Sequence, residues 1–331
     1  MKRKISIFLF IFIVLAVAGC QQRSGTRILR LAHVLPVEHP VHQGMQYLAQ
    51  KVAEYSDNAL QIKIYPGGQL GSERECLESL QIGSLDMTKV NSAVVENFVP
   101  SLAVLSLPYL FNSTRHRWKV FNGPIGRKML RDGEPFWLHG LCFYETGTRN
   151  FYLVNHPVYK PEDLKGLKIR VMRSHWSIES VRILGASVAP ISFGELYAAL
   201  ASGVVDGAEN NIPTFYQSRH WEICKYFVLD GHTAPSDMLL MSTYTWQRLT
   251  EQEKRWLTRA VTESVQYQRD LWYRVEDEYL KIMQKGGVHI IRPDTSAFKE
   301  KVKPLYRELK KSNSALYELV QAIREVDADA Y

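Results

Sequence analysis

The sequence predicts an α/β protein of two lobes with one long helix running across both, and three observations predict it. β-rich runs alternate with runs of apolar residues at helical spacing from residue 27 onward, the alternation restarts near Leu141, and residues 251–284 contain neither Pro nor Gly. At 331 residues the chain is long enough for two such units, each with a core of its own. With 46% hydrophobic and 23% charged residues it has a globular balance, which excludes low-complexity and collagen-like chains.

The first unit opens with a β-rich run at 28–34. Residues 39–56 follow as an amphipathic helix, with Val41, Met45, Leu48, Ala49, Val52 and Ala53 on one face. Residues 61–65 alternate with period two and stop at Pro66-Gly67-Gly68, 73–82 read as a helix closed by Gly83, and 85–90 as a third short strand. An apolar connection spans 102–111. The second unit has strands at 141–144 and 151–154 around a turn at Gly147, a connection over 157–164, a strand at 168–171, a helix at 176–184 and a strand at 187–191. A helix at 195–202, ended by Gly203, leads to a strand at 204–208, whose end is expected to point Glu209, Asn210 and Asn211 outward. In open α/β sheets ligands bind beyond the carboxyl ends of the strands, so polar residues there carry extra weight. The helix at 251–284 could reach ~50 Å, more than the width of one lobe. Lobe limits are expected at 27–146, with part of 235–284, and at 147–234, with 285–331 packing on both. No repeat of 20–50 residues is visible.

Residues 1–19 read as a signal peptide: Lys2-Arg3-Lys4, an apolar run from 5 to 17, then Ala18-Gly19 before Cys20. Val17-Ala18-Gly19-Cys20 resembles the bacterial lipobox, which implies cleavage before Cys20 and lipidation of its thiol. Residues 20–26 then serve as a polar tether. Removing three cations lowers the formal charge from +7 to +4, too mild to point to nucleic acid. Cys76, Cys142 and Cys224 form no disulfide framework or zinc motif and read as small buried hydrophobes, with room left for one pair.

The familiar catalytic motifs, G-x-S-x-G, H-E-x-x-H, the Walker loop and G-x-G-x-x-G, are missing. His33, Glu38, His39 and His42 lack a third strong ligand on one helix face, so neither a metal nor a cofactor is expected. Arg149, Arg170 and Asn210 sit at expected strand ends or turns of the second lobe. Guanidinium clamps a carboxylate through two parallel hydrogen bonds, and a carboxamide can donate and accept beside it.

Lys165-Gly166-Leu167-Lys168-Ile169-Arg170-Val171, Leu184-Gly185-Ala186, Pro190-Ile191-Ser192-Phe193-Gly194-Glu195-Leu196-Tyr197-Ala198-Ala199-Leu200 and Gly203-Val204-Val205-Asp206-Gly207-Ala208-Glu209-Asn210 together resemble the signature of the TRAP transporter solute-binding proteins. Gln69-Leu70-Gly71, Gly83-Ser84-Leu85-Asp86-Met87 and Leu107-Pro108-Tyr109-Leu110-Phe111 fit the first lobe of that family. The resemblance implies a two-lobed periplasmic-binding-protein-like fold with a hinge, a ligand clamped between the lobes, and no chemistry. It places the main carboxylate contact on Arg170, a second arginine on Arg149, an amide on Asn210 and an aromatic wall on Phe193. Glu73 and Asn91 fall where some members meet the distal end of the ligand. Asn210-Asn211 departs from the common Asn-Pro. The implied partners are an organic acid and a small and a large integral membrane subunit, with a periplasmic, lipid-anchored and monomeric receptor.

A carboxylate would satisfy the two arginines through charge-assisted hydrogen bonds, so neutral sugars are expected to bind poorly. Glu73, Asn91, His33 and Asn211 suit hydroxyls, which favours a hexuronate such as glucuronate or galacturonate. A C4-dicarboxylate is the alternative, with Lys89 as its distal cation. An extracytoplasmic sensor and a lipid-anchored hydrolase or lyase are the competing classes.

Overall fold

The computed structural model describes residues 25–326. Two sheets form its frame. The first, in the order β2-β1-β3-β10-β4, joins β1 (Arg27–Ala32), β2 (Leu60–Tyr65), β3 (Met87–Asn91), β4 (Leu138–Tyr144) and β10 (Asp237–Ser242). The second, in the order β11-β9-β5-β8-β6-β7, joins β5 (Arg149–Leu153), β6 (Lys168–Val171), β7 (Ser187–Pro190), β8 (Gly207–Asn210), β9 (Tyr226–Thr233) and β11 (His289–Ile291). β1, β2 and β3 run parallel, as do β6, β7 and β8, while β10 lies antiparallel to β3 and β5 antiparallel to β8. The chain crosses between the sheets at 145–148 and again at 234–236, so the strand expected at 141–144 belongs to the first sheet and not to the second set.

Alternation along the strands divides the core. In β10, Met238 and Leu240 face a cluster that continues beneath the second sheet through Phe151, Leu153, Ile169 and Val171, whereas Leu239 and Met241 face the helix Pro40–Tyr55. Tyr152, Ala208 and Phe227 turn to the outer face of the second sheet. The long helix, Glu251–Lys285, starts on a capping box in which Thr250 and Glu253 satisfy each other's backbone donors. It buries Leu257, Ala260 and Val261 in the first-sheet cluster and Met283 in that of the second. Halfway along, Gln268 accepts from the Glu145 N–H at 2.9 Å and donates to its carbonyl at 3.0 Å, tying the spine to a crossing segment. A Cβ on Gly44 would lie 2.7 Å from the Gln268 Cβ, so only glycine allows the two helices to approach this closely.

Two helices, Thr114–Asn122 and Pro124–Arg131, occupy a stretch that carried no expected element. Each is short and follows its own breaker, Ser113 and Gly123-Pro124, so neither shows a long apolar period. The strand expected at 204–208 is displaced to Gly207–Asn210 because the Gly203 and Val204 N–H groups close the preceding helix onto the Leu200 and Ala199 carbonyls. Glu209 and Asn210 therefore lie inside a central strand and are buried, not turned outward. Cys76, Cys142 and Cys224 are free and buried.

Candidate functional site

Between the sheets lies a cavity of about 440 Å³, lined at the carboxyl ends of β1, β3, β6, β7 and β8. The first-sheet wall holds Leu35, Glu73, Lys89, Asn91 and Asp237. The second-sheet wall holds Arg149, Arg170, Phe193, Asn210, Asn211 and Thr214. Local sequence sets each position. Ser72 and Glu75 form a capping box that fixes Glu73 as the first residue of its helix, and Ser192 with Glu195 does the same for Phe193. Asn91 and Asn211 are themselves helix caps, accepting from the Ala93 N–H at 3.1 Å and the Thr214 N–H at 2.8 Å.

Arg170 is 3% exposed, and its Nε–H donates to the Ile191 carbonyl at 2.8 Å. It forms no ion pair among the described residues, and burial lowers its pKa. The Nη edge of the fork is thus left with donors for a ligand. Arg149, expected as the second half of the clamp, is already neutralised. Its Nε and Nη2 donate to the two Glu209 carboxylate oxygens, Nη2 also reaches the Glu209 carbonyl at 2.6 Å, and Nη1 donates to Asn210 Oδ1 at 2.9 Å. One N–H of the five remains for a ligand. Sequence gave no sign of this pair, since Glu209 was placed at a strand end.

Burial would raise the Glu209 pKa, but Arg149 and His232 outweigh it and hold the carboxylate at about 2. His232 donates toward Asp230 Oδ2 at 2.7 Å; burial lowers its pKa, yet Asp230 and Glu209 more than offset this and bring it to about 9. Arg149, Glu209, His232 and Asp230 therefore form a buried network with two charges of each sign. Asn210 spends its Oδ1 on Arg149 and on the Asn211 N–H at 2.9 Å, which leaves its amide N–H groups for the cavity.

Across the cleft, Lys89 Nζ lies 2.9 Å from Asp237 Oδ2 and 3.2 Å from Glu73 Oε1. Burial would lower the Lys89 pKa, but these two carboxylates raise it. Lys89 is therefore not a spare cation; with one positive and two negative members, the Lys89–Glu73–Asp237 group carries a net negative charge. Asp237 was missed because nothing at the start of β10 marks it in the sequence. Asn91 lines the wall but spends its amide on Asp237 Oδ1 at 3.1 Å and on the Pro235 carbonyl at 3.3 Å. Glu73 Oε1 accepts from Lys89 and the Asn91 N–H, and Oε2 has no partner among the described residues.

His33, expected to meet the ligand's hydroxyls, does not line the cleft. It lies behind the wall, 1% exposed, with Nδ1 accepting from the Leu35 N–H at 3.1 Å and Nε2 bonded to His42 Nδ1 at 2.9 Å. His39 reaches across instead, its Nε2 lying 3.1 Å from the Thr214 hydroxyl. Phe193 spans the lobes as well, packing on the cluster between the first sheet and the helix Pro40–Tyr55. No group of histidines, cysteines and carboxylates that could hold a metal occurs among the described residues. Cys20 lies outside them.

Residues 31–313 match the bacterial extracellular solute-binding protein family 7, DctP. It belongs to this family of TRAP solute-binding proteins. YiiZ of Salmonella typhimurium is 36% identical over 302 residues, 91% of this chain and 92% of that protein. Among solved structures, a TRAP periplasmic solute-binding protein from a Bradyrhizobium species, in complex with D-galacturonate, superposes with a TM-score of 0.87 at 36% identity, covering 90% of this chain and all of that one. One from Citrobacter koseri with bound D-glucuronate has a TM-score of 0.86 at 34% identity, covering 91% of this chain and all of the other. As a TRAP solute-binding protein, the chain is a periplasmic receptor for small organic acids that works with TRAP membrane subunits. No described helix is long and apolar enough to cross a membrane.

Proposed function

We propose that this TRAP solute-binding protein captures a hexuronate, glucuronate or galacturonate, with its carboxylate on Arg170 and its hydroxyls toward Glu73 and Asp237. The supporting observation is the charge layout of the cleft: one buried, unpaired guanidinium faces a wall with a surplus carboxylate. A monoanion carrying hydroxyl donors complements both walls. A C4-dicarboxylate would press its second charge against that surplus, because Lys89 is already committed. Related structures with bound D-galacturonate and D-glucuronate support the same reading. Arg149 contributes its single remaining N–H, Asn210 and Asn211 their amides, and Phe193 an apolar ring face.

Closure occurs about the crossings at 145–148 and 234–236 and the long helix, between lobes of 27–146 with part of 235–284, and 147–234. After cleavage the monomer is held to the membrane by lipid on Cys20 and passes its ligand to the small and large membrane subunits. A thermal-shift screen of the chain from Gln21 tests the ligand, since a ligand that binds only the folded form raises Tm. A rise with a uronate, and none with its neutral parent sugar, is the expected result; a rise with succinate or malate alone would overturn the choice. Cys20→Ser should move the protein from the membrane to the soluble fraction.

A further inference from the structure

At the pole of the first lobe opposite the cleft, a group of large apolar side chains lies uncovered. Trp137 (42% exposed) stacks on Tyr244 (36%) with ring centroids 4.3 Å apart. Phe136 and Ile82 are 38% and 76% exposed. The four are contiguous: Gln81 Nε2 donates to the Phe136 carbonyl at 3.0 Å, and a Cβ on Gly83 would lie 3.3 Å from the Tyr244 ring. Trp137 has a φ of 61°, a left-handed conformation that costs an indole strain, while the ring gains only partial burial in return. Around the patch stand Arg131, Glu134 and Arg248, all exposed.

The position of the patch follows from strand direction. β1 and β3 are parallel, with Leu31 opposite Met87, so Arg27 and the segment before Met87 lie at the same, amino-terminal, end, while the cleft lies at the carboxyl end. The first described strand, β1, begins at this pole. Arg27 Nη1 donates to the Arg248 carbonyl at 3.0 Å, and Arg248 closes the helix Thr243–Arg248 that carries Tyr244, about 6 Å of helical rise away. Asp86 ties the same corner together, accepting from the Arg30 N–H at 2.9 Å and from Thr245 Oγ1 at 3.0 Å. Residues 21–26 separate Cys20 from Arg27, a span of at most about 25 Å.

Building on the proposed tether at Cys20, we infer that this patch rests on the headgroup layer of the bilayer while the receptor awaits ligand, with its cleft open to the periplasm, and leaves that layer when the receptor turns to dock on the membrane subunits. Indole and phenol rings suit that layer because they present an apolar body and a polar edge. A short tether keeps the patch at high effective concentration there, so a weak contact suffices. The surface orients a protein that is already tethered; it is not a second anchor.

The test replaces residues 1–20 with a hexahistidine tag and holds the chain on vesicles of phosphatidylethanolamine, phosphatidylglycerol and a nickel-chelating lipid, with bromine on the acyl chains. Attachment then does not depend on Cys20, so a failed lipidation shows in fractionation and a failed patch shows here. Tryptophan fluorescence of the wild type should be quenched, and Trp137→Asn should remove about half or more of that quenching. Asn tolerates the left-handed conformation, and an unchanged uronate affinity confirms the fold. Trp176→Phe, at a buried site in the second lobe, should leave the quenching in place. Equal quenching of wild type and Trp137→Asn overturns the inference. So does a dimer in sedimentation that Trp137→Asn abolishes, which would make the patch a contact between two copies, or a loss of docking to the membrane subunits with quenching unchanged.

Discussion

Arg149 and Arg170 project into one cleft from one sheet, 4% and 3% exposed, and the protein treats them in opposite ways. Arg149 is answered within the protein by Glu209 and Asn210, whereas Arg170 has only the Ile191 carbonyl. One guanidinium is part of the wall and the other is reserved for a ligand. Arg149→Leu should therefore cost about 3–5 kcal/mol of stability without ligand, read as a fall in Tm, because it leaves the buried network one cation short, with His232 alone facing both Glu209 and Asp230. Arg170→Ala should leave the Tm of the free protein unchanged or higher, since it removes a buried cation with no anion. It should weaken uronate binding by about 2–5 kcal/mol in calorimetry. A fall in free-protein Tm as large as that of Arg149→Leu would break the contrast.

The same contrast has a pH signature, confined to the Arg149 side. His232 has a folded pKa of about 9 against a reference of 6.5, so its contribution is fully present below pH 6.5 and is lost as pH rises through 9. Glu209 has a folded pKa of about 2 against 4.5, so its contribution is present above pH 4.5 and is lost as pH falls toward 2. The stability difference between wild type and His232→Asn, followed by denaturation at a series of pH values, should shrink between pH 6.5 and 9. A difference that stays flat across that window would place the proton elsewhere.

What the sequence disclosed and what it hid divide along the same line. Short strands such as Lys168–Val171, and helices bounded by breakers such as Glu73–Gln81, were legible because period and breaker act within a few residues. Among the cleft residues, Arg170 and Asn210 were legible as strand-end positions strengthened by a motif, and Phe193 through the motif alone. The pairings were not. Glu209 with Arg149 joins β8 to β5, Lys89 with Asp237 joins residues 148 apart, and His33 turns to His42 behind the wall. Each is a choice of partner made by tertiary packing, and composition carries no record of it. The two-arginine clamp was overdrawn for that reason: the sequence shows which groups are charged, and only the fold shows which charges are spent.

Glu73 offers the finest test of the two walls. Its Oε1 is held by Lys89 and the Asn91 N–H, while Oε2 is left for a hydroxyl. Glu73→Gln keeps the shape of the side chain but changes the Lys89–Glu73–Asp237 group from a surplus carboxylate to neutrality. A hydroxyl bonded to an amide oxygen gains less than one bonded to a carboxylate, so uronate affinity should fall by about 1 kcal/mol. Malate should lose nothing and should gain, because the repulsion against its distal carboxylate is reduced. Calorimetry with both ligands on both proteins measures that ratio directly. If the two affinities fall together, Glu73 supports the wall without selecting, and discrimination between a sugar acid and a dicarboxylate must lie in the shape of the cavity near Phe193 and Leu35; if they move in opposite directions, charge on the first-sheet wall decides which acid the cleft accepts.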